Sequence, residues 1–312
     1  MNKNIKNTKN NNTSKSNHKY ILFELYAVRG SIKHYFHFFF GVLVPLVLEY
    51  IEYKKQYEYV TFIVKDDVGP FFRVLFELPI DIKLKEFIHV DDSLIEKKYL
   101  IPQNTHVMNE RSMQWIKKKY AAIFTNVNRI IFNNWLKEQI NKYNFFTYSP
   151  NNANNYDIVI IERRTNLAYE SAYKKSVTNN EKYKIMKLSG SERRCILNHE
   201  EFVENIKKVY PNKKVINIST EYMPLFQQYY VFSNAKLVIA QHGASLSNII
   251  FMKNKASVIE IINQERLKEN WFLDLSKECD ELNYNQYLTN DESITINLED
   301  FNNFMSKLNI FI

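Results

Sequence analysis

The chain has 312 residues, a length that suits one large α/β domain or two domains of about 150 residues each. Hydrophobic residues make up 45% of it and aromatic residues 15%, which excludes a largely disordered protein. Lys and Arg number 42 against 34 Asp and Glu, giving a net charge of +8. This charge favours anionic partners without choosing among nucleic acid, a membrane surface and phosphorylated small molecules.

The chain begins with an Asn- and Lys-rich stretch, residues 1–18, that lacks the apolar core of a signal peptide. It predicts a disordered polar tail, and we expect a cytoplasmic protein. The two cysteines, Cys195 and Cys279, lie far apart and belong to no CxxC or histidine-containing pattern. This spacing argues against a disulfide framework and against a zinc site.

Residues 19–150 have the pattern of an N-terminal α/β domain. Apolar runs predict strands at Tyr20–Leu25 and Tyr59–Asp66, and helical periodicity covers Phe36–Tyr53, Phe71–Leu78 and Glu110–Tyr143. The apolar run Tyr35–Leu48 is shorter than the roughly 20 residues that a membrane span needs, and it contains Pro45. We therefore expect a buried helix there and no transmembrane span.

A break rich in Ser, Pro and Asn, Tyr148–Tyr156, predicts a boundary before a second domain, residues 151–312. The predicted strands are Tyr156–Glu162, Lys214–Ser219, Lys236–Ala240, Ala256–Ile262 and Ser293–Asn297. The predicted helices are His199–Val209, Pro224–Phe232, Ala244–Met252, Arg266–Glu278 and Asp300–Leu308. This alternation indicates βαβ units and a Rossmann-like domain with a parallel sheet. A polar insertion, Leu167–Gly190, has no interpretable pattern.

The turn after the predicted strand Lys236–Ala240 contains one of only five glycines. Gly243 follows His242 and precedes a helix whose first residues include Ser245 and Ser247. At such a turn a glycine lets the backbone approach an anion, and the serines and the histidine can donate hydrogen bonds to it, which predicts a phosphate site. Two alternatives are an ordinary turn with a capping serine and a hydrolase nucleophile elbow, whose final glycine is missing here.

The residues around this turn resemble a known family. The stretch FSNAKLVIAQHGASLSNIIFM, followed by SVIEI, is similar to the signature of glycosyltransferase family 61, with the core motif from His242 to Asn248. Upstream, MPLFQQYYVFSNAK resembles the helix that precedes this strand in the family, and HFFFGVLVPL, from His37 to Leu46, resembles its N-terminal element. The family includes protein O-GlcNAc transferases, plant xylan transferases and many capsule-synthesis proteins.

The resemblance implies an α/β fold of the GT-B kind, with two facing Rossmann-like domains and parallel sheets. It implies a nucleotide-sugar donor, expected to be a UDP-sugar, held mainly by the C-terminal domain, and inverting transfer to a glycan or protein acceptor. Neither a metal nor any other cofactor is expected. The donor-binding residues expected are Arg163, Arg164, Arg193, Arg194, Asn198, Gly243, Ala244, Ser245, Ser247, Asn248 and Glu260.

Arginine side chains at these positions can bind a diphosphate in bidentate fashion. The resemblance assigns Glu260 to the ribose hydroxyls, and the alternative is a strand-end carboxylate that faces solvent. We expect His242 to be catalytic at the leaving group. As the general base we favour His37 over His34 and Glu49, although a histidine in an apolar helix can also be a core residue.

Two features depart from the family pattern. Gly41 stands where many relatives carry an acidic residue, and the insertion Leu167–Gly190 separates arginine elements that usually lie closer together. A catalytically silent nucleotide-binding relative is therefore an alternative. A nucleic-acid-binding protein is another, but the lysines are scattered among acidic residues without a recognition motif, so we expect no nucleic-acid partner.

Overall fold

The structure is a computed structural model that describes residues 17–24, 35–64, 71–99, 124–143, 155–163, 194–221, 223–279, 281–291 and 293–308. Several predictions of the sequence fall outside these residues. They concern the polar tail up to residue 16, the insertion Leu167–Gly190, His34, Arg164 and Arg193.

The first sheet is parallel and has the strand order β3-β2-β1-β4. Its strands are β1 (His18–Glu24), β2 (Tyr59–Val64), β3 (Asp81–Leu84) and β4 (Ile95–Tyr99). The apolar strands β1 and β2 are at the predicted places. The sequence did not reveal β3 and β4, because DIKL and IEKKY are short and carry too few apolar residues to show a pattern.

The helices of the N-terminal half are α1 (Tyr35–Phe38), α2 (Val44–Lys54), α3 (Phe72–Phe76) and α4 (Asn126–Tyr143). A π-helical turn, Phe39–Leu43, joins α1 to α2, and short 3₁₀ turns lie at Lys85–Phe87 and Asp92–Leu94. Together α1, the π-helical turn and α2 form a helix of 20 residues that contains an 18-residue stretch with a mean hydropathy of 1.4, and by length and composition alone it could cross a membrane. Its apolar residues from Phe38 to Val47 are buried in the protein core, as expected of a core helix.

The second sheet is also parallel, with the order β6-β5-β7-β8-β9. Its strands are β5 (Tyr156–Ile161), β6 (Val215–Ile218), β7 (Ala235–Gln241), β8 (Ser257–Asn263) and β9 (Asn283–Thr289). The helices around it are α5 (His199–Val209), α6 (Leu225–Ser233), α7 (Trp271–Lys277) and α8 (Leu298–Ser306). The predicted α/β class with two parallel sheets is confirmed.

Three predicted elements of this half differ from the structure. The helix expected at Ala244–Met252 is a 3₁₀ helix, Ala244–Phe251, and the first part of the helix expected at Arg266–Glu278 is a 3₁₀ segment, Gln264–Glu269. The strand expected at Ser293–Asn297 is reduced to a single bridge between Ile196 and Ile294. Strand β9 was not predicted, because its sequence NYNQYLT is polar and only Tyr287 in it is buried.

The two sheets share one apolar core, which the 3₁₀ helix Ala244–Phe251 connects to the N-terminal half. The Phe251 ring lies 5.9 Å from Phe39 and 6.1 Å from Phe132, measured between ring centroids. Asn133 on α4 donates a hydrogen bond of 2.8 Å to the Ile250 carbonyl. Residues of the N-terminal half therefore hold the 3₁₀ helix in place. The domain boundary predicted from the composition stays a prediction.

Candidate active site

The candidate site lies where the order of the second sheet reverses. After β5 the chain adds β6 on one side and then crosses over to add β7 on the other. Open α/β sheets bind ligands outside the carboxyl ends of their strands at such a switch point. Arg163 follows the end of β5, and His242 and Gly243 follow the end of β7, so the predicted phosphate turn is placed at this position.

Two arginines converge on the backbone of this turn. Arg163 donates a hydrogen bond of 2.8 Å from Nη1 to the His242 carbonyl, and Arg194 donates one of 3.2 Å to the same oxygen. The chain segments before α5 and after β5 thereby bring two guanidinium groups to one point. Such a concentration of positive charge suits an anionic ligand.

Gly243 makes this position of the Arg163 guanidinium possible. Its backbone is extended, with φ 169° and ψ 174°, a conformation that any residue can adopt. A Cβ atom added there would overlap Nη1 of Arg163. The glycine therefore makes room for a guanidinium group, whereas the sequence suggested that it makes room for the ligand itself.

The His242 side chain forms a buried pair with Glu260. Nδ1 of the ring lies 2.6 Å from Oε1 of the carboxylate, and the side chains are only 7% and 2% exposed. Gln286 on β9 donates a hydrogen bond of 2.7 Å to the other carboxylate oxygen, Oε2. Burial, with the nearby Glu260 carboxylate as a second cause, raises the pKa of the Tyr284 phenol well above its usual value.

A pair of hydroxyl groups lies at the same turn. Ser245 lies at the start of the 3₁₀ helix, and its Oγ is 2.8 Å from Oγ1 of Thr220, which follows β6. Three neighbouring strand ends thus contribute polar groups to the site. Thr220 was not among the residues predicted from the sequence, although its place just after a predicted strand was a usable signal.

Comparison with known protein families shows which family the chain belongs to. The sequence profile of the glycosyltransferase 61 family matches residues 35–259, which include the first core helix, the second sheet up to β8 and the whole turn described above. The chain belongs to glycosyltransferase family 61. It is therefore a glycosyltransferase, with a sugar donor and an acceptor as its substrates. No curated protein matches it.

Two donor-binding residues expected in this family 61 domain lie inside the core. Ser247 and Asn248 are fully buried. The Asn248 amide donates a hydrogen bond of 2.6 Å to Gln228 on α6, whose own amide donates to the Met223 carbonyl at 2.8 Å. Tyr35 on α1 donates to the same Gln228 oxygen at 3.3 Å, so this part of the motif connects the 3₁₀ helix with helices of both halves.

Asn198 and Ala244 complete the expected donor-binding residues within the described part of the chain. The Asn198 side chain accepts a hydrogen bond of 2.9 Å from the Ile296 amide and donates one of 3.0 Å to the Ile296 carbonyl. It thereby fixes the segment before α8 to the start of α5. Ala244 is partly exposed beside Ser245. Donor contacts of both residues stay predictions.

His37, the expected general base, lies at the junction of the two halves. Its ring is 6.4 Å from the ring of Trp271, the first residue of α7. The next residue, Phe272, has its ring 5.3 Å from His242 and 5.5 Å from Phe36. This aromatic cluster links the helix that carries His37 to the turn that carries His242. The role of His37 as the general base stays a prediction.

Gly41 is buried in the π-helical turn Phe39–Leu43. The position where many relatives carry an acidic residue therefore lies inside the core of this protein. Among the residues that the structure describes, we find no cluster of His, Cys, Asp and Glu arranged to hold a metal ion.

Proposed function

We propose that this family 61 domain transfers a sugar from a nucleotide-diphosphate donor, a UDP-sugar, to a hydroxyl group of a glycan or protein, with inversion at the sugar carbon. The observation that carries the proposal is the convergence of Arg163 and Arg194 on the His242 carbonyl at the switch point of the second sheet. A transferase that releases a nucleoside diphosphate needs positive charge where that leaving group departs.

The chemistry of the side chains supports a diphosphate at this place. A guanidinium group offers five N–H donors in a rigid fork that matches phosphate oxygens, and two such groups converge on the His242 carbonyl. The hydroxyl groups of Ser245 and Thr220 lie 2.8 Å apart at the same turn, and one of them can donate to the ligand. Because these groups are already held in place, they would stabilise the developing charge without reorganisation, which is the largest contribution in many enzymes.

Activation of the acceptor would come from the N-terminal half. His37 is our candidate base, because it lies on the helix that the aromatic cluster joins to His242. The proposal includes no metal and no cofactor other than the nucleotide sugar, since the arginines would neutralise the diphosphate. A cytoplasmic location belongs to the same proposal.

The first test is the thermal shift of the protein with UDP, GDP, CMP and UDP-sugars. A ligand at a hundred times its dissociation constant stabilises the folded state by about 2.7 kcal/mol, or several degrees in a chain of this size. We expect a shift with UDP and UDP-sugars that Arg163→Ala abolishes. The matched control is Arg73→Ala, whose guanidinium is 66% exposed on α3 and pairs with Glu77. No shift with any nucleotide would contradict the proposal.

A second measurement separates binding from catalysis. Hydrolysis of the donor without acceptor reports whether the sugar–phosphate bond is broken at all. A thermal shift with UDP but no hydrolysis and no transfer to any glycan would favour the catalytically silent relative. Oligonucleotide binding with a steep dependence on salt would instead favour the nucleic-acid alternative.

A further inference from the structure

A row of three polar side chains, two buried and the third partly buried, crosses three adjacent strands at the candidate site. Strand β8 pairs with β9 so that Glu260 stands opposite Gln286, and it pairs with β7 so that Ala240 stands opposite Glu260. His242 extends β7 beyond this point, and its backbone amide donates to the Ile261 carbonyl at 2.8 Å. The row therefore consists of His242, Glu260 and Gln286, fixed by backbone pairing on both sides.

The hydrogen bonds of the row determine where a proton lies. A side-chain amide nitrogen only donates, so Gln286 leaves Oε2 of Glu260 as an acceptor. A carboxylate without a proton likewise only accepts, so in that state the contact of 2.6 Å between Oε1 and Nδ1 of His242 places the proton on Nδ1.

The surroundings of Glu260 leave no place for a substrate at its carboxylate. Its side chain is 2% exposed, and both of its oxygens already accept hydrogen bonds within the sheet. This burial argues against contact between the carboxylate and a ribose. The same burial excludes the alternative in which the Glu260 carboxylate faces solvent at the end of the strand.

We propose that Glu260 is the positioning residue of His242: it holds the ring through Nδ1–H, so that Nε2 is the nitrogen that acts on the substrate. In other enzymes a carboxylate behind a histidine fixes the tautomer and the orientation of the ring in this way. Gln286 in turn orients the carboxylate. The role of Nε2 at the departing diphosphate rests on the proposed function, whereas the tautomer itself does not.

The test is the ¹⁵N NMR spectrum of the histidine rings in the full chain. The resonances of His242 are identified as those that disappear in His242→Gln. We expect Nδ1 of the wild-type ring to show the chemical shift of a protonated nitrogen. An unprotonated Nδ1 of His242 in the wild-type protein would overturn the proposal. The variant serves only to assign the resonances, and an unchanged circular dichroism spectrum shows that it is folded.

Two substitutions at Glu260 separate its hydrogen bond from its bulk. Glu260→Gln keeps an oxygen that can accept from Nδ1–H, provided that Gln286 reverses its amide, so Nδ1 should stay protonated and turnover should fall by about tenfold at most. Glu260→Met has a similar length without an acceptor, so the preference for protonated Nδ1 should disappear and turnover should fall by about a hundredfold. Equal spectra and equal turnover for the two variants would contradict a positioning role.

The control carboxylate is Glu96 in the first sheet, which accepts a hydrogen bond of 2.6 Å from Tyr53 and pairs with Lys19. Glu96→Gln should change neither the His242 resonances nor turnover. The outcomes also separate the two proposals. A protonated Nδ1 that depends on Glu260, in a protein that neither binds nor cleaves nucleotide sugars, would leave the positioning role standing and contradict the proposed function.

Discussion

At the scale of single residues, Gly243 shows how a motif glycine can serve another side chain. Its extended backbone would accept alanine without strain, but the added Cβ would overlap the Arg163 guanidinium. We expect Gly243→Ala to displace Arg163 and to lower kcat/KM by at least about tenfold, in the range of losing one preorganised donor at a developing charge. The melting temperature should change little, and steady-state kinetics with a UDP-sugar checks the first claim.

A double-mutant cycle makes this explanation specific. If Gly243→Ala acts by displacing the guanidinium, it should cost almost nothing further in a chain that already carries Arg163→Ala, because the overlapping atoms are gone. Independent effects would instead add. Additivity of the two substitutions in log kcat/KM would contradict the structural account of Gly243.

Asn248 gives a second prediction at this scale, because sequence and structure assign it different roles. Its amide is fully buried and bonded to Gln228. We expect Asn248→Ala to lower the free energy of unfolding by about 1–3 kcal/mol, since it leaves the Gln228 oxygen without this donor. Denaturant unfolding checks this, with Gln228→Ala as the matched partner. A loss of turnover without any loss of stability would instead support the donor contact predicted from the motif.

At the scale of elements, the 3₁₀ helix Ala244–Phe251 connects the site to the core. Its first residues carry Ser245 beside Thr220, and its last residue, Phe251, is buried among rings of α1–α2, α4 and α6. Most 3₁₀ helices are short, because their hydrogen bonds are less favourable than those of an α-helix. A 3₁₀ helix of eight residues is therefore unusually long. We infer that contacts from neighbouring elements determine its geometry.

The prediction for this element concerns Phe251. We expect Phe251→Ala to lower the free energy of unfolding by about 3–5 kcal/mol, because it opens a cavity among rings from both halves. Phe251→Leu should cost clearly less, since it keeps most of the apolar volume. Chemical denaturation of both variants measures the difference. A cost below about 1 kcal/mol for the alanine variant would contradict the packing described here.

The elements also show which parts of the site the sequence could predict. The turn at Gly243 was predictable, because a glycine and small polar residues follow a strongly apolar strand. The pair of His242 and Glu260 was not, since it depends on the register between β7 and β8. The burial of Ser247 and Asn248 was equally hidden, because polar residues usually lie at the surface and only tertiary contacts with α6 reverse that preference.

At the scale of the whole molecule, one apolar core joins the two sheets, although a break in composition separates them along the sequence. Phe39, Phe132 and Phe251 belong to the same buried cluster, and Glu77 of the first half accepts a hydrogen bond of 3.2 Å from the Leu225 amide at the start of α6. We expect a single unfolding transition in differential scanning calorimetry, with equal calorimetric and van't Hoff enthalpies. Two separated transitions would show that the halves are thermodynamically independent.

This shared core also restricts how such enzymes can be recombined. A chimera that joins the N-terminal half of one family 61 enzyme to the C-terminal half of another at residue 150 would place a foreign 3₁₀ helix against Phe39 and Phe132. The exchangeable unit of this protein is instead the second sheet together with α1, α2 and α4. Donor preference should therefore be transferable between relatives only when these helices move together with the 3₁₀ helix Ala244–Phe251 and its sheet.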